Sequence, residues 1–305
     1  MKKIITIFCC LLVSGCVFRT KKKSSPLSLD KNSTRPITIF IHGTLESFYS
    51  PYVHSFKLPP GLAQANDMPG KFSLSSRVPK ILNKYHPEKY PLSDFYLFTW
   101  QGQLTFKDRK KAAQHLHNLL NGYKGKITII THSHGGNVAL NLAHFSKENP
   151  ENQLKIDKLI LLACPVQKVT EKFAKSDVFE KVYSLYSTSD MFQILDPQGV
   201  YKESKKIRDK GEYVPFLSER RLPRAPNTVQ ARIVLNKSNP KHINFLLCSF
   251  LKHLPDIIEL LDTQEICKNC AINVPSRGKP YFVIPLTINS KYRMRKADVC
   301  AKKAE

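Results

Sequence analysis

From residue 36 onward, short apolar bursts alternate with stretches of helical spacing. "PITIFIHG" (36–43) is a β-branched apolar run ending in glycine, the pattern of a buried strand. "SLSSRVPKILNKYH" has the spacing of a short helix that Pro79 limits. The aromatic-rich "DFYLFTWQG" (94–102) is the next expected strand. "KDRKKAAQHLHNLLNGY" predicts an amphipathic helix, with Ala112, Leu116, Leu119 and Leu120 on one face and Gly122 near its end. Further strands are expected at "KITIITHS" (126–133), "IDKLILLACPV" (156–166), "KVYSLYSTSD" (181–190) and "ARIVLNKS" (231–238), with a helix over 136–147. "INFLLCSFLKHLPDIIELL" (243–261) predicts a helix kinked at Pro255.

Near-continuous apolar strands alternating with helices predict an α/β fold, a mostly parallel sheet with helices on both faces. Two stretches break the alternation, 45–73 and 191–226. Long irregular insertions of this kind commonly serve as lids or binding loops. The main domain is expected over 36–262. The tail, 263–305, holds three cysteines and the strand-like "PYFVIPLTI", and is expected as a small C-terminal appendage rather than a separate domain. With 42% hydrophobic residues the chain can build a full core.

The N-terminus changes the picture of where this domain works. "MKKIITIFCCLLVSGC" has a basic start, an apolar stretch from Ile4 to Val13, and small residues before Cys16. That is a short export signal (1–15), too short to span a bilayer. Its ending, Val13-Ser14-Gly15-Cys16, resembles the lipobox of bacterial lipoproteins. The resemblance implies that Cys16 is lipidated and that the protein is anchored to a membrane of the bacterial cell envelope. Residues 16–35 are basic and serine-rich, the composition of a flexible tether. Lys21 to Lys23 fit either contact with lipid headgroups or an ordinary solvated charge run. The formal net charge is +24, but the basic residues are scattered and not interleaved with aromatics. This argues against a nucleic-acid partner and leaves an anionic lipid surface as the better match.

Among the cysteines, Cys164 lies in an apolar strand and reads as a buried thiol. Cys267, Cys270 and Cys300 give three ligands where a structural zinc site wants four, so no metal is expected. In an exported chain one or more disulfides among these three is the better reading.

The candidate chemistry centres on "THSHGG" (131–136). A serine hydroxyl needs a base to become a nucleophile. In a nucleophile elbow the serine sits on a sharp strand-to-helix turn, with small residues two places before and after it. Ser133 has the strand before and the helix after; Gly135 fills the later place, and Thr131 stands where the pattern G-x-S-x-G has glycine. With "IFIHGT", these residues resemble the α/β-hydrolase superfamily of serine esterases and lipases, across 36–262 in order of elements. "FTWQG" with "KDRKKAA" also looks like a little-characterised bacterial branch of it that has a tryptophan after this strand.

The resemblance implies an oxyanion hole from the backbone N–H groups of Thr44 and His134. It also implies the chain order serine, acid, histidine. Asp190 is then the acid, with Asp196 in reserve, and His242 the base, with His253 in reserve. The side chains of His132 and His134 are expected to diverge from the serine, and His42 and His54 to be surface or turn residues. No cofactor is expected. The implied activity is cleavage of a carboxylic ester, with a lipid-like or apolar acyl ester favoured and amides and thioesters left open. The rival reading is a non-catalytic envelope lipoprotein that uses the same fold for binding.

Overall fold

The computed structural model describes residues 27–44, 60–67, 74–146, 154–263 and 270–283. The described strands form one sheet: β1 (Ile37–Ile41), β2 (Gly61–Gln64), β3 (Phe95–Thr99), β4 (Ile127–His132), β5 (Ile156–Leu162), β6 (Phe179–Tyr186), β7 (Thr228–Leu235), β8 (Cys270–Val274) and β9 (Tyr281–Val283). Their order is β2-β3-β1-β4-β5-β6-β7-β8-β9. All neighbours run parallel except the outer pairs β2–β3 and β8–β9.

The apolar runs of the sequence are there because both faces of this sheet are covered. Along β1, Ile37, Ile39 and Ile41 join one apolar cluster and Phe40 the other, as the two-residue period of a strand requires. The first cluster packs against α2 (Phe106–Leu120) and the pair α3 (Gly135–Leu140) and α4 (Leu142–Ser146). The second packs against α1 (Leu74–Tyr85), through Val78 and Leu82, and against α6 (Leu254–Thr263), through Ile257, Ile258 and Leu261. A further helix, α5 (Lys202–Arg208), lies in the insertion after β6. With its elbow between β4 and α3, this is the α/β-hydrolase arrangement. Among the described residues no helix is long and apolar enough to cross a membrane.

Several elements depart from the sequence expectation for identifiable reasons. Pro79 sits in the second turn of α1 and forfeits one helical hydrogen bond without ending the helix. The helix expected over 136–147 breaks at Asn141, whose side-chain amide donates to the Asn137 carbonyl at 2.7 Å and competes with the helical ladder. Pro255 does not kink a helix. It lies in the first turn of α6, where a proline has no bond to lose, and the preceding chain is a 3-10 turn (His242–Leu246) and a short helical turn (Cys248–Leu251). The buried face of α2 is Phe106, Arg109, Ala113, Leu116, His117 and Leu120, with Ala112 and Leu119 only partly buried beside it. β2 was hidden in the irregular 45–73 stretch because a four-residue edge strand has no apolar alternation. The described part of the tail forms the far edge of the sheet, β8 pairing parallel with β7.

Candidate active site

β4 passes into α3 through a two-residue turn, Ser133-His134. Ser133 is held at φ 53°, the left-handed region that a non-glycine residue enters only under constraint. Its N–H donates to the Leu162 carbonyl (2.9 Å), and its carbonyl accepts from Gly136 N–H (3.0 Å). The space around it dictates its neighbours. A Cβ on Gly135 would stand 2.5 Å from the Ile41 carbonyl oxygen, and one on Gly136 2.4 Å from Cys164 Sγ. Thr131 is tolerated in the earlier place because its hydroxyl turns to β5 and donates to the Ile160 carbonyl at 3.3 Å.

The loop after β1 leans on this elbow: a Cβ on Gly43 would lie 2.7 Å from Ser133 Cβ. Thr44 follows at once, and its hydroxyl is buried with no hydrogen bond among the described residues. His42 follows β1 and is half-buried. Its ring stacks on Trp100 (5.8 Å between centroids), and Trp100 Nε1 donates to the His42 carbonyl at 3.0 Å. The tryptophan noted in "FTWQG" therefore ties the end of β3 to the loop carrying Thr44. His54 lies outside the described residues, as do Cys16, Cys267 and Cys300.

Asp190 follows β6, fully buried. One carboxylate oxygen accepts from Gln193 N–H (3.1 Å); the other lies 2.7 Å from His242 Nδ1. His242 opens the 3-10 turn after β7. Its ring packs on that of His132 (4.5 Å), the residue before Ser133, and His132 Nε2 meets the His242 carbonyl at 3.1 Å. The structure thus brings Ser133, His242 and Asp190 to one end of the sheet.

The two neighbouring histidines are engaged elsewhere. His134 Nδ1 pairs with the Asn137 amide (3.2 Å), and its Nε2 lies 3.5 Å from Asp196. Burial, with the positive charge of neighbouring groups, pushes both His132 and His134 well below the ordinary histidine value, so both stay neutral. Of the reserve candidates, Asp196 faces His134 rather than His242, and His253 sits between a helical turn and α6 with its buried Nε2 unbonded among the described residues.

Sequence reasoning missed two groups. The Asn137 amide donates to the Pro165 carbonyl (2.8 Å) and its oxygen accepts from the Thr170 hydroxyl (2.5 Å), which anchors the elbow helix. Arg109 is fully buried beside Asp196, Gln167 and Tyr201. A signal for it existed: Arg109 falls on the apolar stripe of α2 in register with Ala113, Leu116 and Leu120. Cys164 lies just past β5, buried as expected, and burial pushes its thiol up to about 12. Among the described residues no group of His, Cys, Asp and Glu could hold a metal ion.

A family model described as Mbeg1-like matches residues 94–194, a third of the chain, spanning β3, the elbow and Asp190. No curated protein matches. Among solved structures, the chain is similar to EstE1, a thermophilic carboxylesterase from a metagenomic library, at 12% identity over 76% of this chain and 79% of that one, with a TM-score of 0.37. It is similar to carboxylesterase CesB from Bacillus subtilis at 13% identity over 81% and 78%, TM-score 0.28. It is also similar to an esterase from Pyrobaculum calidifontis at 13% identity over 81% and 67%, TM-score 0.30. At these scores the likeness adds nothing to what topology and elbow already display.

Proposed function

We propose that the protein is an exported, membrane-anchored serine hydrolase that cleaves a carboxylic ester through an acyl-enzyme. Cys16 is the lipidated residue and the bacterial cell envelope its location. Ser133 is the nucleophile. His242 takes the Ser133 proton as Oγ attacks the ester carbonyl carbon, and Asp190 fixes the imidazole tautomer and stabilises the imidazolium. The oxyanion so formed is held by the backbone N–H groups of Thr44 and His134. Collapse expels the alcohol, which takes the proton back from His242. Water, deprotonated by His242, then releases the acid and restores Ser133.

The observation that carries this reading is the Asp190–His242 contact of 2.7 Å beside a serine locked at positive φ. A buried carboxylate on the Nδ1 side leaves Nε2 as the basic nitrogen. An apolar acyl chain is favoured by the surface around the base: Met191, Phe192 and Ile243 are 53%, 62% and 41% exposed, and the Phe192 ring lies 5.8 Å from His242.

A fluorophosphonate probe tests the assignment. Labelling of the wild type that disappears in a folded Ser133→Ala variant is the expected result. A wild type that neither labels nor hydrolyses any of a panel of esters of graded chain length would favour the non-catalytic binding protein instead.

A further inference from the structure

Asp196 is left over once Asp190 has taken His242, yet it sits in the most elaborate polar cluster behind the elbow. It is 7% exposed and Arg109 is fully buried. Asp196 accepts from the Tyr201 hydroxyl (3.1 Å) and from the Gln167 amide, and Arg109 Nη2 stands 3.9 Å away. Arg109 in turn donates to Gln167 Oε1 (2.5 Å) and to the Leu104 carbonyl, and its guanidinium lies over the Phe106 ring at 5.0 Å. A buried ion pair this far apart is a poor source of stability, since desolvation offsets its attraction.

Its position suggests a different use. The Asn137 amide has its orientation fixed by Pro165 and Thr170, so it is the NH2 group that faces His134 Nδ1. That nitrogen is therefore the acceptor, and the ring proton is on Nε2, 3.5 Å from Asp196. The imidazole meets the elbow helix at Nδ1, 3.2 Å from the Asn137 amide, and its Nε2 faces the insertion that follows β6 across 3.5 Å. Its own main-chain N–H is the oxyanion donor of the proposed mechanism.

We propose that Asp196 is a positioning residue for the oxyanion hole, holding the His134 ring so that the 133–134 peptide keeps its N–H aimed at the anion, with Arg109 as its counter-ion and Gln167 and Tyr201 as its clamps. The inference rests on the serine-hydrolase reading and deepens it. Burial pushes the Asp196 carboxyl above its ordinary range, and Arg109 acts against that shift. The arrangement also makes correct seating of residues 191–226 a condition for catalysis, because Asp196 and Tyr201 both come from that insertion.

A double-mutant cycle on a soluble p-nitrophenyl ester tests this. Asp196→Asn should lower kcat about tenfold with KM within about twofold, because the N–H that it keeps aimed acts only on the oxyanion. Affinity for a trifluoromethyl ketone, which binds as a tetrahedral anion, should fall by the same factor. In a His134→Ala background, where the ring is gone, Asp196→Asn should cost less than about twofold more. Equal losses in both backgrounds, or a raised KM with unchanged kcat, overturn the proposal. If Asp196→Asn does not fold, Tyr201→Phe should give a smaller kcat loss, about threefold, that also vanishes in His134→Ala; an unchanged kcat or a persistent loss overturns it equally. A wild type that fails to label at Ser133 removes the serine-hydrolase reading and this inference with it. Labelling at Ser133 with an additive cycle removes this inference alone.

Discussion

In the proposed mechanism some groups around Ser133 act through side chains and others through the main chain, and substitutions should separate them. His242→Ala is expected to lower kcat on the order of 10^4-fold, as loss of a triad member does. Asp190→Asn should fall in the same class and cost far more than Asp196→Asn. His132→Ala and His134→Ala should be milder, about tenfold, since the first supports the His242 loop through one contact and the second keeps its N–H. Purified variants assayed on one soluble ester decide this; a dead His134→Ala beside a near-normal His242→Ala would reverse the roles. Because burial keeps His132 and His134 neutral, an acid limb of the rate profile in the ordinary histidine range does not belong to either.

At the scale of elements, the closeness of β1 to the elbow helix sets the tolerance of the site. Gly135→Ala drives a methyl against the Ile41 and His42 carbonyl oxygens, at 2.5 and 2.7 Å. Main chain on both sides cannot step aside, so the variant should lose about 1–3 kcal/mol of stability, read from its denaturation midpoint, together with activity. An unchanged midpoint would contradict so close an approach of helix and strand. This is also the scale at which the sequence was most legible. The apolar bursts, β-branched or aromatic, located β1, β3, β4, β5, β6 and β7 because a strand buried on both faces favours apolar residues along most of its length. Asp190 and His242, named from the chain order that the resemblance implies, lie in contact after β6 and β7. What stayed illegible depends on partners distant in sequence. β2 exists only because β3 offers an edge, and Arg109 is buried only because residues 167, 196 and 201 surround it.

For the whole molecule, acid should be destabilising well before the carboxylates titrate. His132 and His134 are held below the histidine value that they regain on unfolding, so between the two values the unfolded chain binds more protons than the folded one. Stability then rises with pH through that window and falls as the pH drops below about 6.5. Thermal midpoints measured from pH 8 to pH 5 should show the fall, and His134→Gln should flatten it; a flat wild-type profile would contradict neutral burial. The proposed anchor is a separate matter at this scale. Cys16→Ser should leave the protein in the soluble fraction or block its processing, and lipid labelling that survives the substitution would refute the lipobox reading.

Cys164 turns the tight fit under Gly136 into a clock. The thiol is sealed beneath the elbow helix and protonated at neutral pH, so an alkylating reagent can reach it only while that helix lifts. Cys248, exposed on the surface, reacts in the native state and serves as the internal reference. The ratio of the two labelling rates, resolved by peptide mapping, measures how often the serine's seat opens. A bound acyl group or transition-state mimic that tightens the elbow should slow Cys164 labelling while leaving Cys248 labelling unchanged.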